Sequence, residues 1–366
     1  MTGGASGSVA VVLGTRPEII KLAELIRLLG PAGRVVYTGQ HYDDRLGPSF
    51  FRELDLPAPA VTLSVGGVPR GQQVGTALRD LDEEFGEHPP QVVVVQGDTN
   101  SAVAGALVAN AREIPLVHVE AGLRSYDRAM PEEHNRVVAD HLADLLCTPT
   151  ETTRHNLELE GITGDRVVVT GNTVIEALMR IVPGPAARHD LLTRMGLVAA
   201  TFVLATLHRP ETVDQREHLA FRLRELAELP QQVVLPLHPR TRARIEAFDL
   251  TALLRELCVV PPLAYGDFLG LASECAFLVS DSGGVQEEAS VVKRPVLVVR
   301  NSTERPEVLG TFARLVRPGE SISEHAAEWS ANLAELHETL ARTASPYGDG
   351  AASRLCHEAL TSLVGR

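Results

Sequence analysis

The chain lacks the features that mark nucleic-acid-binding, membrane or disulfide-stabilised proteins. Its formal net charge is −13, whereas proteins that bind a nucleic-acid backbone usually carry a basic face. No apolar run approaches the roughly 20 residues that cross a bilayer, and no secretory leader opens the sequence, so we expect a cytoplasmic protein. The four cysteines stand singly, without a CxxC pair, which argues against a disulfide framework or a zinc site.

Lysine and glycine-rich phosphate loops are also scarce. Only Lys21 and Lys293 are lysines among the 34 basic residues, a bias typical of GC-rich coding sequence. Residues 13–24, LGTRPEIIKLAE, follow an apolar run as a phosphate-binding turn would, yet neither G-x-G-x-x-G nor G-x-x-x-x-G-K-[ST] is present. Arg16 and the N–H groups of a helix that begins near Pro17 could still form an anion site, although an ordinary capped helix is the alternative.

The 366 residues, 44% of them hydrophobic, suffice for two cores at roughly 100–200 residues per domain. Short apolar runs alternate with helical patterns, which predicts parallel sheets buried on both faces. The predicted strands are 9–13, 34–38, 91–96, 115–119 and 166–171, then 202–207, 232–237, 257–261, 276–280 and 295–299. The predicted helices include 19–29, 101–111, 132–146, 214–228 and 282–292. We therefore predict an α/β fold of two doubly wound Rossmann-like domains facing a cleft.

Carboxylates follow the predicted strands of the first half, where open parallel sheets bind ligands. Asp98 and Glu120 end successive strands and could face one crevice, although Asp98 could also be a helix N-cap. Glu132 and Glu133 lie in the first turn of a helix that begins near Pro131, where the helix dipole alone would favour them. Grouped carboxylates shift one another's pKa and can divide acid and base roles.

The second half places histidines and a glycine-rich helix start in equivalent positions. His208 and His238 follow its first two strands, and His208 is the preferred catalytic candidate. The Ser-Gly-Gly segment at 282–284 would present N–H groups and a hydroxyl to a pyrophosphate, unless it forms only a helix cap. One turn farther on, Glu288 could accept hydrogen bonds from ribose hydroxyls.

Eight ordered segments resemble the non-hydrolysing UDP-N-acetylglucosamine 2-epimerases, from about residue 9 to residue 350. They are GTRPEIIK, QGDTNS, HVEAGLRS, MPEEHNR, TGNTVIE, TLHRPE, SDSGGVQEEA and NSTERPE. The resemblance implies a fold of the glycosyltransferase-B type, with residues 1–172 and a returning helix within 350–366 in the N-terminal domain and 173–349 in the UDP-binding domain. No metal or nicotinamide is implied, and we expect a homodimer without a nucleic-acid or membrane partner.

The implied reaction inverts C2 of the sugar in UDP-N-acetylglucosamine and gives UDP-N-acetylmannosamine. Because the C2 proton is adjacent to no carbonyl in the ring, the family is held to eliminate UDP in an anti sense to a 2-acetamidoglucal and then to re-add it. Such chemistry needs a base, an acid on the opposite face and a site that retains UDP.

Residue roles are carried over motif by motif. The acid/base carboxylates and the group that assists phosphate departure correspond to Asp98, Glu120, Glu132 and His208. Substrate and UDP contacts are assigned to Arg16, Lys21, His238, Phe268, Ser282, Gly283, Gly284, Glu288 and Arg305. Lys21 would hold charge on the departing UDP, and Phe268 would lie beside the uracil.

Three departures from the family pattern change the expectations. Pro210 replaces an arginine of an H-R-R-E motif that helps to bind an activating UDP-N-acetylglucosamine, and the segment Tyr42-Asp43-Asp44 also departs. We therefore expect weak or absent activation by substrate. Leu263 stands in place of a uracil-pocket glutamine, so contacts to the base would come from the backbone.

Four other functions stay open. A retaining glycosyltransferase of the same fold would need an acceptor site rather than several carboxylates around the donor sugar. A hydrolysing epimerase, which releases UDP, fits the MPEEHNR and TERPE segments less well, and TERPE also disfavours an epimerase of 2,3-diacetamido uronic acid sugars. A sensor without turnover conflicts with the presence of every proposed carboxylate and of His208.

Overall fold

A computed structural model describes residues 7–40, 51–52 and 54–365. The chain forms two compact units, one of Met1–Ala177 with Tyr347–Arg366 and one of Leu178–Pro346. Among the helices in the described ranges, none is long and apolar enough to cross a membrane.

The first unit contains a parallel sheet whose strands are largely valine and leucine. Within the described residues its strands are β1 (Val9–Leu13), β2 (Gly33–Tyr37), β3 (Val61–Thr62), β4 (Val92–Gln96), β5 (Leu116–Val119), β6 (Leu145–Thr148) and β7 (Val167–Val169). Their order is β3-β2-β1-β4-β5-β6-β7, and every pair is parallel. All residues of β1, β4, β5 and β6 are buried, as expected for strands covered on both faces.

Helices cover this sheet. They are α1 (Arg16–Leu29), α2 (Arg70–Glu87), α3 (Asn100–Ala111), α4 (Pro131–Leu142) and α5 (Glu151–Leu159), while α6 (Val174–Ile181) begins in this unit and ends in the second. The α3 helix is built from small and β-branched residues, because it packs against both α2 and α4 as well as against the sheet. A Cβ on its Gly105 would lie 2.9 Å from the Val95 side chain, so the close approach to β4 requires glycine.

The second unit repeats this architecture. Its strands are β8 (Phe202–Thr206), β9 (Gln232–Pro236), β10 (Cys258–Val260), β11 (Phe277–Ser280), β12 (Val296–Val299) and β13 (Ala313–Val316), in the parallel order β10-β9-β8-β11-β12-β13. Its helices are α7 (Pro185–Met195), α8 (Pro210–Val213), α9 (Arg216–Ala227), α10 (Pro239–Ala247), α11 (Tyr265–Glu274), α12 (Gly283–Val292), α13 (Ile322–Ala331) and α14 (Leu333–Arg342). The C-terminal helix α15 (Ala352–Val364) belongs to the first unit and packs against α1 and β6.

The predicted α/β class with two doubly wound parallel sheets is confirmed. The predicted helix 132–146 is wrong at its C-terminal end, because α4 stops at Leu142 and residues 145–148 form β6, paired with β5. A short apolar run fits a helix or a buried strand equally well, and tertiary pairing decides between them. The short β3 and β13 are two further strands that the sequence pattern did not reveal.

Both sheets have a switch point at which the strand order reverses. In the first unit it lies between β1 and β4, and in the second between β8 and β11. Ligands of open parallel sheets bind outside the carboxyl ends of the strands at such a point. The segments that follow these four strands begin near residues 14, 97, 207 and 281.

Candidate functional site

The turn after β1 is shaped by close packing. A Cβ at Gly14 would lie 2.0 Å from Ser101 Oγ and 2.2 Å from Thr38 Oγ1, two hydroxyls that are themselves 2.7 Å apart. The single glycine is therefore required by the neighbouring strand and helix. Arg16 begins α1 immediately afterwards and is partly buried.

Glu18 ties the two loops of this switch point together. Its carboxylate accepts the backbone N–H groups of Gly14 at 3.0 Å and Thr15 at 2.8 Å, and the hydroxyl of Thr99 at 2.8 Å. The side chain is almost completely buried, and burial raises the pKa of Glu18 to about 7 against the lowering effect of those hydrogen bonds. Glu18 thus links the turn after β1 to the loop that carries Asp98.

Asp98 is not the N-cap of α3, because the next residue, Thr99, has that role. Thr99 is the N-cap of α3, with Oγ1 accepting the N–H of Ala102 at 3.0 Å. The Asp98 side chain is 31% exposed and pairs with the Arg136 guanidinium from α4. The alternative that Asp98 only caps a helix is therefore wrong.

Glu120 lies beside a cation and an amide at the end of β5. Lys21 Nζ is 2.5 Å from its Oε2, and Gln96 Nε2 donates to the same oxygen at 2.8 Å. Glu120 has φ of 66°, a left-handed conformation that is strained for a residue other than glycine and is frequent at functional sites. In this structure the charge of Lys21 therefore acts on a candidate catalytic carboxylate.

A buried charge network supports these two strand ends. His118 Nε2 lies 2.8 Å from the Gly97 carbonyl oxygen, and its Nδ1 lies 2.6 Å from Asp140. Both partners are acceptors, so the ring is satisfied when both nitrogens carry protons. Burial raises the pKa of Asp140, but the charges of His118 and Arg124 outweigh burial and hold that pKa below its usual value.

The two adjacent glutamates of α4 differ in their surroundings. Glu133 is buried and accepts the backbone N–H groups of Ser125 at 3.0 Å and Tyr126 at 2.9 Å, as well as Arg136. Glu132 is exposed in the first turn of the helix. Glu133 therefore shapes a loop, and Glu132 is the one open to a ligand.

The two candidate histidines of the second unit, His208 and His238, lie together. Asp281, directly after β11, lies 3.0 Å from His208 Nδ1, and the rings of His208 and His238 are 5.4 Å apart. His238 is the N-cap of α10, where its Nδ1 accepts the N–H of Arg240 at 3.2 Å. Burial, followed by the neighbouring His208, lowers the pKa of His238.

The glycine-rich segment opens α12 as predicted. Ser282 is the N-cap, but within the described residues its hydroxyl makes no capping hydrogen bond. A Cβ on Gly283 would lie 2.7 Å from Glu304 Oε1 and 3.0 Å from Arg305 Nη1, whereas one on Gly284 would meet only ordinary contacts. Gly283 therefore allows Arg305 to approach the start of the helix.

Arg305 is held by two carboxylates. Its Nε donates to Glu287 at 2.7 Å and its Nη1 to Glu304 at 2.6 Å. Glu304 also accepts from Arg300 at 2.8 Å. Burial alone would raise the pKa of Glu304, but the charges of Arg305 and Arg300 prevail and lower it to about 2.

The remaining predicted contacts lie on or near α11 and α12. Tyr265 donates its hydroxyl to Glu288 at 2.7 Å. Phe268 is partly buried on α11, three residues after Tyr265, and Leu263 precedes this helix. Pro210 is the first residue of α8, and Tyr42-Asp43-Asp44 lies outside the described residues.

The fold brings some predicted residues together and adds others. Asp98 and Glu120 follow the paired residues Gln96 and Val119 of β4 and β5. The sequence did not predict the partners of these side chains. Gln96 donates to Glu120, and Arg136 pairs with Asp98. Glu18 accepts the hydroxyl of Thr99 beside Asp98, and Asp281 contacts His208. Each of these lies within or beside a quoted motif, but its partner is distant in sequence.

Comparisons with known proteins identify the family of this chain. A family model described as UDP-N-acetylglucosamine 2-epimerase matches residues 32–361. A protein of that name from Methanocaldococcus jannaschii is 39% identical over 319 residues, covering 84% of this chain and 87% of the relative. A UDP-2,3-diacetamido-2,3-dideoxy-D-glucuronate 2-epimerase from Pseudomonas aeruginosa is 33% identical over 365 residues, covering 97% and 99%. The crystal structure of the M. jannaschii UDP-GlcNAc 2-epimerase in complex with UDP-GlcNAc and UDP matches with a TM-score of 0.80 and 36% identity, covering 97% of this chain and 99% of that one.

Proposed function

Because the chain belongs to the UDP-N-acetylglucosamine 2-epimerase family, we propose that it interconverts UDP-N-acetylglucosamine and UDP-N-acetylmannosamine without hydrolysing them. The C2 proton passes to a protein base, while the C1–O bond breaks and its electron pair leaves with UDP. The products of this anti elimination are UDP and a 2-acetamidoglucal. UDP then re-adds at C1 and C2 is protonated on the other face, so the overall reaction needs no oxidant or reductant.

The observation that chiefly supports this proposal is the pair of carboxylates at the ends of β4 and β5. Asp98 is paired with Arg136, and Glu120 with Lys21. Each of these carboxylates therefore has a cation in contact with it, at the ends of two neighbouring strands. Glu132 is the third candidate, since its exposed position leaves it open to substrate. These three groups would provide the base and the acid that the two faces of C2 need.

In this proposal the UDP-binding domain, residues 173–349, holds the nucleotide. The start of α12 offers N–H groups and a serine hydroxyl to the diphosphate, and His208 assists its departure. The residues assigned to UDP or substrate contacts are Arg16, Lys21, His238, Phe268, Ser282, Gly283, Gly284, Glu288 and Arg305. We further propose that the protein acts as a homodimer in the cytoplasm.

The test is an NMR experiment with UDP-N-acetylglucosamine in deuterated water. The expected result is deuterium at C2 of both epimers, with UDP-N-acetylmannosamine accumulating and no free UDP. Asp98→Asn should lose this exchange and keep UDP binding by calorimetry, and exchange at the wild-type rate in that variant would refute the role of Asp98. Free N-acetylmannosamine and UDP would identify a hydrolysing epimerase instead.

A second candidate substrate is the UDP-2,3-diacetamido uronic acid sugar, because the P. aeruginosa relative is similar over nearly the whole chain. The same experiment is repeated with the UDP-2,3-diacetamido uronic acid sugar. Exchange at C2 of that sugar alone would retain the reaction type and replace the proposed substrate. A glycosyltransferase would show no deuterium at C2 of either sugar.

A further inference from the structure

Asp281 is a buried carboxylate that the proposed reaction does not use directly. It follows β11, and its side chain is fully buried. Its Oδ2 accepts the backbone N–H groups of His208 and Arg209, each at 2.8 Å. These two bonds fix the turn from β8 into α8, and therefore the backbone position of His208.

The other oxygen of Asp281 faces the His208 ring. Oδ1 lies 3.0 Å from Nδ1 and also accepts the His208 backbone N–H at 3.1 Å, a longer contact than that of Oδ2, and the His208 side chain is 35% exposed. Burial raises the pKa of Asp281, but the contacts from His208 and from the two backbone N–H groups outweigh burial and hold it below its usual value. An ionised carboxylate can only accept hydrogen bonds, so the proton of the ring belongs on Nδ1.

His238 is not an alternative carrier of the positive charge. Its Nδ1 accepts the N–H of Arg240 and thus bears no proton, which leaves a neutral ring with its proton on Nε2. The two rings are 5.4 Å apart, at which distance two imidazolium ions would repel each other. Of the two rings, that of His208 is the one whose Nδ1 faces the Asp281 carboxylate.

We propose that Asp281 is a positioning residue that keeps a proton on His208 Nδ1 in both the neutral and the cationic ring, so that Nε2 is the nitrogen turned to the departing diphosphate and donates to it in the cationic ring. This inference rests on the proposed function, in which His208 assists that departure. When the C1–O bond breaks, negative charge develops on the diphosphate oxygen. An imidazolium that donates through Nε2 stabilises this oxygen, and Asp281 stabilises the imidazolium.

The variant Asp281→Asn separates the two roles of this side chain. The amide oxygen can still accept from the N–H groups of His208 and Arg209, while the amide NH2 group faces Nδ1 and donates to it. The ring proton then moves to Nε2, and the imidazolium is disfavoured because two donors would face each other. We expect kcat to fall about 10²-fold or more, the usual range for loss of acid–base assistance, with KM for UDP-N-acetylglucosamine little changed.

The tautomer is measured independently of activity by NMR of the ring nitrogens in protein labelled with 15N-histidine. The His208 signals are identified by their absence from His208→Gln. The wild type should show a protonated Nδ1, and Asp281→Asn should show a protonated Nε2. The matched control is Asp214→Asn, which changes an aspartate bound to Arg240 and Arg244 in the same unit and should keep both the rate and the His208 tautomer.

Two results would overturn the inference. One is a bare Nδ1 on His208 in the wild type, which needs no variant and so remains decisive if Asp281→Asn does not fold. The other is a folded Asp281→Asn with wild-type kcat. Failure of the proposed function would look different, since it would appear as no C2 exchange in the wild type or as full activity in His208→Gln, while the tautomer could still be read.

Discussion

Replacing Glu18 by glutamine should change how the stability of the first unit depends on pH. Glu18 has an ordinary pKa of 4.5 when unfolded and a pKa of about 7 in the buried folded site. The folded state therefore binds this proton more tightly than the unfolded chain does. Stability from this group is complete below pH 4.5, and it is lost as pH rises toward 7. The variant, which carries no such proton, should lack this dependence.

The size of the effect follows from the two pKa values. At about 1.4 kcal/mol per pKa unit, the shift corresponds to a loss of about 3 kcal/mol once pH exceeds 7. Of this, about 2.5 kcal/mol falls between pH 5 and pH 8, a range in which unfolding is practical to measure. Glutamine can retain the contacts, because its amide oxygen can accept from Gly14 and Thr15 while its NH2 group donates to Thr99.

The assay must report on the first unit. Trp329, the single tryptophan, lies in the second unit, so its fluorescence is unsuitable. Hydrogen exchange of peptides from α1 and α3, followed by mass spectrometry across a urea series, gives the unfolding free energy at each pH. Glu24→Gln, which removes a partly exposed carboxylate from the same helix, serves as the control. The reasoning would be refuted if the unfolding free energies of the wild type and Glu18→Gln differed by the same amount at every pH from 5 to 8.

Three further changes have defined outcomes. Asp98→Asn should abolish C2 deuterium exchange with UDP affinity unchanged in calorimetry, and loss of affinity would indicate a binding role instead. Lys21→Gln should lower kcat about 10-fold or more by removing the cation beside Glu120, and a change confined to UDP affinity would instead indicate that Lys21 acts only on the diphosphate. Asp140→Asn should destabilise the first unit by about 3 kcal/mol in urea unfolding, because His118 and Arg124 would lose their buried counter-charge, and an unchanged midpoint would contradict this.

Much of the fold could be predicted because the strands carry a strong local signal. The run 9–13 is observed as β1 with both ends correct, and the predicted helix 101–111 differs from α3 by one residue. The failures occur where the local signal is weak or ambiguous. Residues 145–148 form a strand that pairs with β5 and β7, and β3 is only two residues long. Strand order and the pairing of strands are set by tertiary contacts, which the periodicity of the sequence does not encode.

The candidate site could be predicted as a set of residue types but not as a set of contacts. Strand ends in parallel sheets point to Asp98, Glu120 and His208 by the topology rule alone. Their partners lie far away in sequence, since the residue numbers of Lys21 and Glu120 differ by 99 and those of His208 and Asp281 by 73. Lys21 is an example. Its position near a turn that resembles a phosphate-binding turn suggests an anionic ligand, whereas in the folded unit it forms an ion pair with Glu120.

Each switch point has a buried carboxylate that bonds to the neighbouring loop, Glu18 on α1 in the first unit and Asp281 after β11 in the second, and their acidities differ in direction. Glu18 accepts only uncharged donors among its recorded hydrogen bonds, so burial dominates and its pKa rises to about 7. Asp281 accepts two backbone N–H groups and also faces the His208 ring, and its pKa is lowered. A carboxylate that remains ionised can orient an imidazole and stabilise its positive charge, whereas the recorded partners of Glu18 are two backbone N–H groups and a hydroxyl. The second switch point is therefore the one whose buried carboxylate faces a histidine, and this contact is what the proposed assistance to the departing diphosphate requires.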